Sequence, residues 1–203
     1  MKIKKIKTLI YKFWKHLFFV STDYLYEYTG ISNYLNKVAD VRIVSYDNVN
    51  DAKSFQSDNY IEAFKKHLTN GVRGYYAYIN GICCHRSWVF TNQMAINSYK
   101  SLPLKENQVY IGWCETAENT RGKGIYPQVL STIVRDYADK EIFIVANSKN
   151  IASQKGIEKV GFKIKGICKV IVIFGIKAIK LYNSEKGGGS ILELLDLGEL
   201  KCA

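Results

Sequence analysis

The pair Asn80-Gly81 separates two runs of strand-forming residues, Gly74 to Ile79 and Ile82 to Phe90. A two-residue hairpin turn places its central residues at positive φ, which Asn and Gly adopt at low cost, so Asn-Gly between two such runs is a strong hairpin signal. We therefore predict an antiparallel hairpin over residues 74–90. The chain thus contains at least part of a β-sheet.

Hydrophobic spacing along the rest of the chain indicates the fold class. Alternating apolar residues predict strands, and apolar residues three or four apart predict helices. Strands dominate the first half of the chain and alternate with helices in the second half, which is typical of an α+β fold with a mixed sheet. The predicted strands are 23–28, 41–46, 74–79, 82–90, 109–114, 142–145 and two between 162 and 181. One or two helices are predicted over 50–68, and one each over 125–137 and 150–160; residues 91–107 are predicted to form a loop.

Size, charge and composition narrow the class of protein. The 203 residues suffice for one domain with a buried core. Lys and Arg outnumber the acids by 29 to 18, and the net charge of +11 favours an anionic partner: nucleic acid, an anionic membrane face or a phosphorylated small molecule. The five cysteines form no C-x-x-C pattern and only three histidines are present, so we expect no disulfide framework and no metal site. The cysteine pattern favours a reducing compartment. The sequence has no run of about eighteen apolar residues that could span a membrane, so we expect a cytoplasmic protein.

The first nineteen residues carry six lysines and no acid. On a helical wheel their apolar side chains fall on one side and the lysines on the other, which is typical of a basic amphipathic helix. We predict this helix over residues 1–22, the folded domain over 23–182, and a Gly-rich linker with a short acidic tail over 183–203. Such a helix either lies on an anionic membrane surface, which would make the protein peripheral on the inner membrane face, or packs on its own domain with its lysines solvated.

The segment Arg121 to Tyr126 lies between the predicted strand 109–114 and the predicted helix 125–137. Its two glycines let the backbone approach a ligand closely, and the first N–H groups of the following helix have no internal acceptors. Together with Arg121 and Lys123 they predict an anion site that suits a diphosphate. A glycine motif of this length, taken alone, is more often a loop with solvated charges.

A second motif follows about thirty residues later, with Asn150, Ser153 and then Gly161-Phe162. In this order and spacing the two motifs resemble the R-x-x-G-x-G/A and N-x-x-A/S…G-F signatures of the GNAT superfamily of acyl-CoA-dependent N-acyltransferases. The resemblance is specific over residues 109–162 and implies a mostly antiparallel mixed sheet flanked by helices, acetyl-CoA or another acyl-CoA as co-substrate, and no metal. The residues that it places at the cofactor are Cys114, Thr116, Arg121, Gly122, Lys123, Gly124, Ile125, Tyr126, Asn150 and Ser153.

The residues of the two motifs are most similar to those of GNAT enzymes of bacterial surface-polysaccharide loci, which acylate amino sugars. The acceptor implied is the amine of a free, nucleotide-linked or lipid-linked sugar. Two alternatives stay open: acetylation of a protein or peptide amine, and a non-catalytic GNAT fold or basic binding module. We expect no nucleic acid partner, because the lysines are concentrated in the N-terminal segment and no aromatic-basic RNA-binding signature is present.

The sequence departs from the family pattern at two positions. Tyr126 stands where the family has Gly or Ala, so its ring must turn away from the phosphates or narrow the site. Ile157 stands where many members carry the tyrosine that protonates the leaving thiolate. The proton must then come from another group or from solvent.

A base has to take the proton of the acceptor amine, directly or through water. Glu115, on the strand beside the thioester, is the first candidate, and its alternative role is a surface carboxylate or a partner of Arg121. His85 is the second candidate, since histidine titrates in the right range, and its alternative is a hydrogen-bonded structural role. Tyr110 is the third candidate, and its alternative role is core packing. Trp88, Trp113 and Phe90 either wall the acceptor pocket or belong to the core, as aromatic residues on strands usually do, and the loop 91–107 would roof the pocket.

Overall fold

The computed structural model describes residues 18–30, 34, 36–98, 100–173 and 176–183. These residues form an α+β fold, as predicted, with an eight-stranded sheet, a separate two-stranded hairpin and three α-helices. The strands are β1 (Phe18–Tyr28), β2 (Asp40–Ile43), β3 (Arg73–Ile79), β4 (Ile82–Phe90), β5 (Gln93–Asn97), β6 (Lys100–Pro103), β7 (Gln108–Thr116), β8 (Glu141–Asn147), β9 (Phe162–Ile173) and β10 (Ile176–Asn183); the helices are α1 (Asp58–Thr69), α2 (Ile125–Asp136) and α3 (Ile151–Lys159), with short 3-10 segments at Val49–Ser54 and Glu118–Thr120.

The strand order of the large sheet is β10-β9-β1-β8-β7-β4-β3-β2. All neighbours are antiparallel except β7 and β8, which are parallel. The predicted hairpin over residues 74–90 is confirmed as β3 and β4. Asn80 and Gly81 both take positive φ, 51° and 77°, as the turn between these strands requires.

Helices α2 and α3 cover one face of the sheet. Val129 and Ile133 of α2 belong to the same buried cluster as Ile111 of β7 and Ile144 of β8. On the opposite face, α1 packs Phe64 against Trp88 and the other residues of β3 and β4. Because successive strand residues point to opposite faces, β4 and β7 contribute to the core on both sides.

The predicted loop over 91–107 is wrong, because much of this segment forms the β5–β6 hairpin. Met94 and Leu102 of the hairpin are fully buried against Leu25 and Phe143 on the same sheet face as α1. Short strands of this kind have little local signal, and burial against the larger sheet is what stabilises them.

The N-terminal helix predicted to extend to residue 22 is wrong over residues 18–22, which belong to β1. This strand lies between β8 and β9 and pairs with both, so its backbone is hydrogen-bonded along two edges. Pairing between distant parts of the chain here overrides the local helical spacing. Residues 1–17 and 184–203, which carry the rest of that helix and the predicted linker and tail, lie outside the described residues. No helix of the described part is long and apolar enough to cross a membrane.

Strands β7 and β8 separate before their ends. Their parallel register runs from Gln108 and Glu141 to Ile111 and Ile144, although both strands continue. On its other side β7 carries a bulge, because Arg86 pairs with Glu115 while Trp88 pairs with Gly112. Two residues of β7 therefore oppose one of β4. The bulge turns the last part of β7, and its backbone on the β8 side is no longer in the sheet ladder.

Candidate active site

The glycine-rich turn leads directly into the N-terminus of α2. Gly122 and Gly124 have φ angles of 79° and 81°, and Gly124 is the N-cap of the helix. No side chain caps the first turn, so its backbone N–H groups face outward as donors. Arg121 packs back on the strand end, where its Nε donates to the carbonyl oxygen of Thr116 at 3.1 Å. The segment predicted to bind an anion therefore forms a helix N-terminus without a side-chain cap, beside Arg121.

A cavity of about 600 Å³ joins this turn to the free edge of β7 and to the start of α3. Its walls include the two predicted bases, Glu115 and His85, as well as Thr120 and Gly156, for which sequence analysis gave no role. Lys123 is exposed on the turn and does not line the cavity. The nine other residues predicted at the cofactor all line it: Cys114, Thr116, Arg121, Gly122, Gly124, Ile125, Tyr126, Asn150 and Ser153.

Asn150 has a structural role at the start of α3. Its side-chain oxygen accepts a hydrogen bond from the backbone N–H of Ser153 at 3.1 Å, which makes it the N-cap of the helix. This capping explains the Asn-x-x-Ser spacing without any ligand. It also leaves Ser153 Oγ on the cavity wall.

The ring of Tyr126 packs against α3. A Cβ atom at Gly156 would come within 2.8 Å of this ring, so the helix needs glycine there. The hydroxyl lies 3.4 Å from Ser153 Oγ, and the ring centroid lies 5.7 Å from that of His85. A glycine inside a helical pattern, three residues after Ser153, was the sequence signal for this close approach.

A row of polar side chains forms the floor of the cavity. His85 is fully buried; its Nδ1 lies 2.7 Å from Thr116 Oγ1 and its Nε2 lies 2.8 Å from Ser87 Oγ. The thiol of Cys114 donates to the carbonyl oxygen of Gly112 at 3.6 Å, and Ser87 and Tyr126 lie near enough to affect its pKa. His85 thus connects β4 with Thr116 of β7, and Cys114 and Tyr126 extend this polar row toward α3.

Burial determines the protonation of this row. It lowers the pKa of His85 to about 3, with a contribution from the nearby charge of Arg86, so the imidazole is neutral at neutral pH. Burial raises the pKa of the Cys114 thiol to about 11 and the pKa of Tyr126 well above its usual value. All three groups are therefore uncharged at neutral pH.

Glu115 is paired with Arg86, not with Arg121. The Arg86 guanidinium donates to Glu115 Oε2 at 2.7 Å and also to the carbonyl oxygen of Trp113, so it holds both sides of the bulge in β7. Its side chain is 5% exposed, whereas that of Glu115 is 39% exposed. Sequence analysis gave Arg86 no role, because only the pairing of β4 with β7 brings it to Glu115.

Two exposed aromatic side chains lie beside this ion pair, on the sheet face opposite α2. Trp113 and Tyr60 of α1 have nearly perpendicular rings with centroids 6.3 Å apart and are 43% and 44% exposed. Trp113 has a φ of 52°, a conformation that a large side chain rarely adopts. Of the predicted pocket walls, Trp113 is exposed and Trp88 is buried in the core.

Comparison with known proteins supports the fold. No protein-family model and no curated protein matches the sequence. A GNAT-family acetyltransferase from Colwellia psychrerythraea is similar in structure, with a TM-score of 0.57 and 15% identity, over 82% of this chain and 56% of its own length. This chain has the GNAT fold. It spans little more than half the length of the Colwellia protein.

Two further solved structures share the GNAT fold of this chain. A conserved protein of unknown function from Staphylococcus epidermidis has a TM-score of 0.57 and 17% identity, over 87% of this chain and 67% of its own. A GNAT-family protein from Novosphingobium aromaticivorans has a TM-score of 0.55 and 11% identity, over 82% and 66%. At these identities the likeness concerns the fold, and activity has to be argued from the site.

Proposed function

We propose that this protein transfers an acyl group, in the simplest case acetyl from acetyl-CoA, to a primary amine. The observation that carries the proposal is the cavity itself. It brings together an uncapped helix N-terminus, which suits a diphosphate, and a strand edge that has left its ladder, which suits an extended amide-containing arm. Coenzyme A consists of these two parts, followed by the thioester.

The cofactor would lie along the nine cavity-lining residues that sequence analysis predicted for it. Its pyrophosphate would bind the N–H groups at Gly124 and Ile125 with help from Arg121, and its pantetheine arm would pair with β7 at Cys114 and Thr116. A backbone N–H of this strand would then polarise the thioester carbonyl, and such fixed dipoles supply much of the rate in acyl transfer. Lys123 would act at longer range through its charge.

For the amine we propose Glu115 as the base and His85 as a positioning residue. Glu115 is half-exposed, lines the cavity and is held by Arg86. Both ring nitrogens of His85 are occupied, and its pKa of about 3 makes it a weak base. Attack of the amine on the thioester carbonyl forms the amide, the C–S bond breaks, and the thiolate leaves with its electron pair.

The departing thiolate needs a proton, and we propose that Tyr126 supplies it. Ile157 is fully buried in the core and has no proton to give. Tyr126 lines the cavity, and its hydroxyl lies 3.4 Å from Ser153 Oγ and near the thiol of Cys114. Because its pKa is raised, the hydroxyl keeps its proton over the usual assay range.

We propose an amino sugar of surface-polysaccharide synthesis as the acceptor. The exposed rings of Trp113 and Tyr60 offer a perpendicular corner beside Glu115, and the flat apolar face of a sugar ring packs well against an indole. We further propose that the lysine-rich segment 1–17 attaches the protein to the anionic inner face of the cytoplasmic membrane, where lipid-linked sugars are assembled.

Isothermal titration calorimetry with acetyl-CoA tests the first step before any acceptor is known. We expect saturable 1:1 binding that weakens when a CoA fragment lacking the pyrophosphate replaces acetyl-CoA. Arg121→Gln should weaken binding, and the control Arg42→Gln, on the edge strand β2, should not. Absence of binding by the unaltered protein would overturn the proposed function.

A further inference from the structure

Asp23 of β1 is a buried carboxylate without a counter-ion. It is 5% exposed, and it is the one acidic residue among the buried polar residues of the described chain. Its oxygens accept hydrogen bonds from Asn147 at 2.8 Å, from Ser21 at 3.1 Å and from Asn97 at 3.4 Å. All three donors are neutral, and within the described residues no cation lies within ion-pair distance of it.

Two other carboxylates of the sheet have counter-ions. Glu27, four residues further along β1, is paired with Lys165 at 2.7 Å, and Glu115 is paired with Arg86, although both acids are more exposed than Asp23. A buried carboxylate is costly unless hydrogen bonds or an opposite charge compensate for its lost hydration, and Asp23 has hydrogen bonds from neutral donors only. The carboxylate of Asp23 is thus ready for a cation from outside the chain.

The position of Asp23 relates it to the cavity. Asp23 pairs with Asn147 of β8, three residues beyond Ile144, the last β8 residue paired with β7. Counting along the parallel register, Asn147 lies at the level of Cys114. Because β7 and β8 part beyond Ile111 and Ile144, Asp23 lies at least two strand spacings, roughly 10 Å or more, from the end of β7 that carries the proposed thioester.

Asp23 also lies on the sheet face that the acceptor would use. Its neighbour two residues on, Leu25, packs under the β5–β6 hairpin, and Asn97 at the end of β5 covers the carboxylate. Tyr110 connects the two places, because its ring lies against Gly112 and both Cys114 and Asp23 contribute to raising its pKa, after burial. Helices α2 and α3 occupy the opposite face.

We propose that Asp23 binds an ammonium group of the acceptor, and that the acceptor carries at least two amino groups. The inference rests on the proposed acyl transfer. At roughly 10 Å from β7, an ammonium held by Asp23 is too far away to be the nitrogen that attacks the thioester. One amine reacts while a second, charged one pairs with Asp23. The bond from Asn97, the longest of the three, is the one that the ammonium displaces.

Diamino sugars and diamines are the class of acceptor that fits this arrangement. A charge-assisted hydrogen bond to a buried carboxylate is stronger than one to a neutral group, so it discriminates sharply against an acceptor with a hydroxyl or methyl in place of the second amine. Asp23 would act on binding of the acceptor and not on the chemical step. Its loss should raise KM for the acceptor and leave kcat near its original value.

The unaltered protein provides the first test. Acetylation of 1,6-diaminohexane is compared with that of 1-aminohexane, and a 2,6-diamino hexose with glucosamine, at saturating acetyl-CoA. We expect KM to be lower for a diamine by roughly tenfold or more, beyond the twofold statistical factor. Equal KM values for diamines and monoamines, with transfer observed, overturn this inference and leave acyl transfer standing. Failure to bind acetyl-CoA overturns the proposed function instead.

Asp23→Asn provides the second test, with Glu27→Gln on the same strand as the matched control. Asp23→Asn should remove the preference for diamines, with unchanged affinity for acetyl-CoA; Glu27→Gln should keep the preference. Calorimetry of 1,6-diaminohexane with the CoA-saturated proteins gives a readout independent of turnover. If Asp23→Asn folds and still binds the diamine as tightly as the unaltered protein, Asp23 is not the ammonium site. If it does not fold, the comparison above decides.

Discussion

The guanidinium of Arg86 lies 2.7 Å from the carboxylate of Glu115, across the pair of strands that carries the bulge. The arginine is buried and the glutamate is half-exposed, so the carboxylate is fixed at its inner side and reaches the cavity with its outer side. This geometry is what supports the proposal that Glu115 is the base. It also makes Arg86 a structural support of the site.

Glu115→Gln tests the base. The amide keeps the shape and can still accept the bond from Arg86, so we expect unchanged affinity for acetyl-CoA. The buried guanidinium loses its counter-charge, so the variant should also lose stability. Turnover should fall by about two to four orders of magnitude, because the amide cannot take a proton. Steady-state kinetics with a saturating amine measures this. The matched control is Glu118→Gln, an exposed acid just past the strand; a full rate in both variants would assign deprotonation to solvent.

Gly124→Val tests the cofactor site. Gly124 has a φ of 81°, and a Cβ there would come 2.6 Å from the hydroxyl of Tyr34, so the variant should lose about 1–3 kcal/mol of unfolding free energy and its affinity for acetyl-CoA. Gly81→Val is the control, since its φ of 77° imposes similar strain far from the cavity. Denaturant unfolding and calorimetry separate the two effects. Retained acetyl-CoA affinity in Gly124→Val would contradict the assigned site.

His85 should make the protein less stable in mild acid. Its pKa is about 3 in the folded state and about 6.5 in the unfolded chain, so the unfolded state binds the extra proton. The stability that the neutral imidazole contributes is fully present above pH 6.5 and is lost as the pH falls toward 3. Between pH 6.5 and pH 5 the loss should be roughly 1–2 kcal/mol. Urea unfolding at several pH values, with His85→Gln as the reference, measures it; parallel curves for the two proteins would refute the assigned protonation state.

Tyr126→Phe tests the proton donor. The phenyl ring keeps the packing against Gly156 and His85, so acetyl-CoA affinity should change little, while kcat should fall by about two orders of magnitude. The control Tyr78→Phe removes a hydroxyl that donates to Asp51 on the other face of the sheet. It should lower stability without lowering kcat. An unchanged kcat in Tyr126→Phe would mean that solvent protonates the thiolate.

Deletion of residues 1–17 tests membrane attachment. The deletion stops before β1, which begins at Phe18 and is needed for the sheet. The full chain should sediment with liposomes that contain anionic lipid, and high salt should weaken this binding. Each lysine near the surface should contribute on the order of 1 kcal/mol to the binding free energy. The shortened protein should stay in the supernatant. Equal sedimentation of the two proteins would assign any lipid binding to the folded domain.

The sequence by itself determined the elements with strong local signals. The Asn80-Gly81 turn requires positive φ at both positions, so the hairpin could be predicted. A glycine at the N-cap position has no side chain to cap the helix, so the free N–H groups of α2 could be predicted as well. Nine residues predicted at the cofactor line one cavity for the same reason. They lie on β7, on the Gly-rich turn that leads into α2, and at the start of α3, and the sequence motifs indicate the order of these elements.

Only the tertiary structure decided which distant residues meet. Arg86 reaches Glu115 through the register of β4 on β7, and Asp23 reaches Asn147 of β8 because β1 is inserted between β8 and β9. Strand pairing of this kind depends on burial and on hydrogen bonds between distant segments, which no local pattern encodes. The surroundings of each ionisable group, and hence the neutral state of His85, follow from the same packing.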